Sequence, residues 1–174
     1  MTDVCWYVET EDQMAAQLSQ LTTFQQLMGV SDHSDPVASA VARVHAEVIE
    51  RDDEDEYIVP DDLWNARPFC MLSSDPSVIR GANSNALVYQ GEILMLIEIT
   101  KQQIVDRLGN PVAKERDIIR YVKNQCGLIV RDLFNAWPVL NRSLELFWRS
   151  SANQISGDEP HCRYGFKFSF GPDE

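Results

Sequence analysis

What most constrains this chain is how it ends: an amphipathic stretch from Asn110 to Trp137, followed by two segments of alternating polarity. Ile118, Val122, Cys126, Ile129, Leu133 and Trp137 recur at three- and four-residue steps, while Lys114, Arg116, Lys123 and Arg131 lie largely off that stripe. This spacing predicts one long helix with an apolar face, opened by Pro111 and ended by Pro138. Leu144, Leu146 and Trp148 then alternate with Glu145, Phe147 and Arg149 in a predicted strand. In the final strand Tyr164, Phe166, Phe168 and Phe170 fall on one side, and Arg163, Lys167 and Ser169 on the other. That is the period of a sheet packed on one face, and the long helix laid on it completes a two-layer α+β domain.

A chain of 174 residues fits one ordinary domain, which buries about 70% of its unfolded surface without disulfide or metal staples. The expectation is a single domain over residues 1–174, with a mixed or antiparallel sheet of about four to five strands and a helical N-terminal segment. No charged-then-apolar leader opens the chain, and apolar runs such as Ile93 to Ile97 fall far short of the roughly 20 residues of a membrane helix. A soluble, unexported protein is expected. Cys5, Cys70, Cys126 and Cys162 are scattered, which suits reduced thiols better than a disulfide framework or a zinc motif.

Upstream, Met14, Leu18, Leu21 and Met28 keep helical spacing. Thr22-Thr23 interrupts them, and Thr23 with Gln26 has the form of a capping box, so two helices are expected, about 11–21 and 23–28. Gly29 is a stop signal, and Asp35-Pro36 restarts a helix that carries Val37, Val41 and Val44 inward and leads to a short strand near 45–50. Pro68 to Ser73 reads as a strand. Ala86 to Thr100 reads as a central one, with Ile93, Met95, Ile97 and Ile99 on one face, Leu94 and Leu96 on the other, and Gly91 marking a bulge or bend.

Two long loops are expected between these strands, an acidic one at 52–67 and a polar one at 75–85 rich in turn chemistry. Loops of that length in a compact domain are usually functional surfaces or disordered tips, which makes them the first place to look for partners. The candidate interface residues are therefore Asp52, Asp53, Glu54, Asp55, Glu56, Leu63, Trp64 and Arg67 in the first, and Val78, Ile79 and Arg80 in the second. Trp64 is either tucked under its own loop or held out for a partner.

The formal net charge is −12, and it is uneven: residues 1–66 hold 15 Asp/Glu against only Arg43 and Arg51. The block Asp52-Asp53-Glu54-Asp55-Glu56 repels itself and stays solvated. Acidity of this kind opposes wrapping of nucleic acid, where Lys and Arg must replace counterions at phosphates. The block also lacks the glycine that the sixth position of an EF-hand loop requires, since Tyr57 or Ile58 stands there. Glu92, Glu98 and Asp106 have no spacing that singles out a two-metal site. His161-Cys162 alternate across a strand, which places the two side chains on opposite faces. No nucleophile elbow, phosphate-binding glycine loop or dinucleotide fingerprint occurs. No catalytic residue, cofactor or metal is expected.

In order, the elements resemble those of the tail terminators and related tail-completion proteins of long-tailed bacteriophages. The likeness is carried by Thr23-Phe24-Gln25-Gln26-Leu27-Met28-Gly29, by a second helix running into a strand that ends at Glu50, and by long loops before the strands at 68–73 and 86–100. The long helix and the closing Tyr164-Gly165-Phe166-Lys167-Phe168-Ser169-Phe170 complete it; the acidic run departs from it. The resemblance implies a virion protein assembled in the host cytoplasm, a subunit of a ring, usually hexameric, that caps the tail tube and meets the neck or head connector. Its implied partners are further copies of itself, the tail tube protein and the connector, with DNA passing through the lumen unbound and no membrane involved. A head-closure or neck adaptor is the neighbouring reading, and an acidic DNA-mimicking inhibitor or a metal-dependent nuclease the more distant ones.

Overall fold

The computed structural model describes residues 6–46, 53, 58–81, 87–136, 144–145 and 161–170. Among them are five helices, α1 (Trp6–Gln20), α2 (Thr22–Met28), α3 (Pro36–Val41), α4 (Lys101–Leu108) and α5 (Glu115–Ala136). The strands are β1 (Val44–Ala46), β2 (Phe69–Gly81), β3 (Leu87–Thr100), β4 (Leu144–Glu145) and β5 (His161–Phe170). Hydrogen bonding orders them β1-β2-β3-β5-β4, with β1 parallel to β2 and every other pair antiparallel. The class is α+β: long strands β2, β3 and β5 carry the sheet, and β3 is central.

Cross-strand pairing fixes the two faces. Ile93, Met95 and Ile97 lie opposite Phe168, Phe166 and Tyr164 in register, so the aromatic positions of β5 share a face with the buried positions of β3. On that face Cys70, Leu72, Ile93, Met95, Ile97 and Ile99 form one core with Ile118, Val122, Cys126, Ile129 and Leu133 of α5, closed by Met14 and Leu18 of α1 and Phe24 and Leu27 of α2. The helical stripe expected of α5 is the buried stripe. A second, smaller cluster on the opposite face joins Phe69, Met71 and Leu96 to Val59 and Leu63.

Local chemistry explains the helix ends. Gly29, at φ 70°, lets its own N–H reach Gln26 O and that of Val30 reach Gln25 O, at 3.1 and 2.9 Å; these two hydrogen bonds satisfy carbonyls that α2 leaves open. Asp35 caps α3, its Oδ1 accepting from Ala38 N at 3.0 Å with Pro36 in the first turn.

Four expectations need correction. Thr23 is no cap: it lies inside α2, whose N-cap is Leu21, and its hydroxyl donates to Asp132 Oδ2 at 3.1 Å. Val37 and Val41 point outward, at 42% and 49% exposure, because α3 buries Ala40 instead. The long helix starts at Glu115, five residues past Asn110. Pro111 occupies a turn, where Asn110 Oδ1 accepts from Val112 N, and a separate helix α4 precedes it. Residues 75–81 of the expected 75–85 loop are strand, since β2 runs to Gly81, and 82–85 lie outside the described residues. The turn-like residues sit at a β-bulge: Asp75 pairs with Glu92 and Val78 with Gln90, so Pro76 and Ser77 together oppose Gly91. The expected strand near 45–50 is β1 as far as Ala46; the rest of it, like Trp137, Leu146 and Trp148, lies outside the described residues.

Candidate functional site

Residues 58–68 cross the second face of the sheet as a strap. Pro60 and Asp61 begin a turn, with Leu63 N bonded to Pro60 O at 2.9 Å and Trp64 N to Asp61 O at 3.3 Å, and Val59 and Leu63 face inward onto Phe69, Met71 and Leu96. Its far end is tied by charge. Arg67 Nε meets Glu98 Oε2 at 3.0 Å with side-chain exposures of 5% and 0%, so the pair is buried. Arg67 Nη1 donates to Trp64 O, and its guanidinium lies 4.4 Å from the Trp64 ring centre. Arg67 Nη2 is buried without a hydrogen-bond partner. On β5, Arg163 occupies the position paired with Glu98.

Three further polar contacts hold the strap's exit. Arg43 Nη1 donates to Ala66 O at 2.8 Å and to Pro68 O at 3.4 Å. Gln103 Nε2 donates to Arg67 O at 2.7 Å. Gln103 is available there because it belongs to the capping box of α4: Thr100 Oγ1 accepts from Gln103 N and Gln103 Oε1 from Thr100 N, at 3.1 and 3.0 Å.

The second candidate surface is the outer part of the β2–β3 hairpin. β5 pairs with β3 only as far as Gly91 opposite Phe170, whereas β2 and β3 continue pairing through Val78 to Gly81 and Leu87 to Gln90. Four residue pairs, about 13 Å of strand, thus extend beyond the bulge as a two-stranded arm among the described residues.

The sequence candidates divide accordingly. Leu63 and Arg67 are buried and Trp64 is half-buried, so all three pack within the strap. Asp53 is exposed; Asp52, Glu54, Asp55 and Glu56 lie outside the described residues. Val78, Ile79 and Arg80 lie on β2 in the arm, paired with Gln90, Tyr89 and Val88. Sequence reasoning named Glu98 only as a scattered acid, although a carboxylate closing the apolar run Ile93 to Ile97 was the signal for a buried charge that needs a cation. It left α4 unassigned, although Thr100-x-x-Gln103 has capping-box form.

Chemically the arrangement offers contact surface. Among the described residues no three His, Cys, Asp or Glu side chains come together in a metal-binding group. Cys70 is buried, and burial pushes its thiol pKa well above the ordinary value, which keeps it protonated and unreactive. No helix among the described residues is long and apolar enough to cross a membrane. The chain matches no protein-family model and no curated protein.

Proposed function

We propose that this chain is a structural subunit of a closed ring at the end of a bacteriophage tail, capping the tail tube and meeting the neck, with no enzymatic role. The reading takes the four to five strands and the helices on one face as a two-layer terminator domain. The observation that carries it is the β2–β3 arm. A two-stranded ribbon is marginal in water by itself, and four residue pairs extend past the last one shared with β5. Among the described residues no third strand joins the arm; a neighbouring subunit supplies that support, and ring closure does so for every copy at once. Pro76 in the bulge, which has no N–H to donate, limits open-ended strand addition along that edge. The acidity of residues 1–66 fits a lumen through which DNA passes without sticking.

The test is the assembled particle. The labelled protein should be found in purified virions at a tail end. A variant with Val78 to Gln90 replaced by a tight turn should keep its fold yet yield tails of abnormal length or heads that fail to join. Position at the head side of the junction would instead favour a neck adaptor. Absence from virions, with infectivity intact when the protein is lost, would overturn the ring reading and favour an acidic DNA-mimicking inhibitor.

A further inference from the structure

Beside the strap's exit, two arginines share one corner of the molecule, where Arg107 also feels the charge of Asp106. Gln103 and Arg107 stand four residues apart on α4 and therefore share a helix face. Gln103 reaches the backbone of Arg67, while Arg43 reaches the carbonyls of Ala66 and Pro68 on either side of it. The same turn thus brings Arg43 and Arg107 into one neighbourhood. Arg107 Nη1 is buried without an acceptor. Asp106, next to it on α4, accepts instead from Gln102 Nε2 at 2.7 Å. The guanidinium lies against exposed Gly29, where a Cβ would stand 3.0 Å from Nη2, so a side chain there would crowd it. Burial lowers the Arg107 pKa from its ordinary value; Tyr121 opposes this, Arg43 adds to it and Asp106 opposes it.

A half-buried guanidinium whose Nη1 is buried without an acceptor, beside a second cation, is costly as it stands. Arg is also the side chain best shaped to grip a planar or tetrahedral oxyanion. We infer that Arg107 and Arg43, beside Gly29, form a binding site for an oxyanion group, a carboxylate or a phosphate. Two sources fit this chemistry: a free small oxyanion, or a carboxylate of the Asp52–Glu56 block of a second copy, which carries five acids in a row. The site is independent of the ring reading, since it rests on the α4 corner and not on the β2–β3 arm.

Thermal unfolding of the full chain tests it, with inorganic phosphate, inorganic sulfate and a peptide of residues 51–57 as probes and sodium chloride at matched ionic strength as reference. At 100 times its Kd a probe should raise the midpoint by about 5–11 °C. The increment should vanish in Arg107→Met and shrink in Arg43→Met. With no oxyanion present, Arg107→Met should melt at or above the parent, because it removes a half-buried guanidinium with an unpartnered nitrogen and keeps the apolar stem. Stabilisation by phosphate or sulfate identifies the free-ion source, and stabilisation by the peptide alone identifies the second copy. If no probe acts beyond chloride, or if Arg107→Met retains the full increment, the site is overturned. Arg107→Met melting well below the parent in chloride would assign Arg107 to packing and overturn it equally.

Discussion

Cutting the Arg67–Glu98 pair should loosen the strap by an amount that the geometry sets. Both side chains are almost fully buried and 3.0 Å apart, so solvent screens them little, and at an effective dielectric near 20 the attraction at that distance is about 5–6 kcal/mol. Removing one partner also strands the other charge in the interior, and the usual net cost is about 3–5 kcal/mol. The two single variants should differ. Glu98 interacts with more than Arg67, so Arg67→Met leaves a carboxylate that still has company and should fall near the lower figure. Glu98→Leu strands a guanidinium that already has one unpaired nitrogen and should fall near the upper. With a urea m-value of about 2 kcal/mol/M, these losses move the midpoint down by about 1.5–2.5 M. The double variant should be more stable than either single one, since apolar side chains of similar size replace a buried pair at little cost. Urea unfolding followed by both circular dichroism and tryptophan fluorescence measures all four corners of the cycle and shows whether the transition is two-state. A coupling energy below about 0.5 kcal/mol, or a double variant as weak as Glu98→Leu, would refute the idea that this pair fastens the strap.

Leu133 is fully buried in the core of α5, so Leu133→Ala should cost about 2–5 kcal/mol in the same assay. The two described glycines with opposite environments should respond with opposite signs. Gly29→Ala should destabilise by about 1–2 kcal/mol, because Gly29 has φ +70° and Arg107 stands close to where the methyl would go. Gly127→Ala should stabilise by about 0.5–1 kcal/mol, because that glycine lies within α5 with nothing within 4 Å of the added carbon. Burial raises the folded-state pKa of Cys70. Its stability contribution is therefore complete below the unfolded thiol pKa of about 8.5 and is lost as pH rises toward the folded value, at about 1.4 kcal/mol per pH unit. Comparing Cys70→Val with the parent between pH 7.5 and 9.5 should remove that slope and leave the slopes of other groups unchanged.

The parts of the fold legible in the sequence are those where one periodicity governs a long run. The stripe Ile118 to Leu133 and the alternation Ile93 to Ile99 each bury one whole side, so spacing alone located them. The parts that were not legible are those where local signals compete. Asp75-Pro76-Ser77 carries turn chemistry, yet the strand absorbs it as a bulge because pairing resumes at Val78 and continues to Gly81. Thr23 with Gln26 and Thr100 with Gln103 have the same capping form. Only the second is a cap, because the hydroxyl of Thr23 is taken by Asp132, 109 residues away. Trp64 was undecided between partner and loop because its cover comes from Arg67, whose own place depends on Glu98, 31 residues on.

The parallel pairing of β1 with β2 has an evolutionary consequence. Val44 lies level with Cys70 and Ala46 with Leu72, so the chain leaving β1 must return to the starting end of the sheet before β2 can begin, and the strap makes part of that return. Its length is fixed from inside: Val59 and Leu63 must meet the second core while Arg67 meets Glu98, and one inserted residue would put those contacts out of step. Descendants of this fold should therefore keep the length of the strap, residues 58–68, nearly constant.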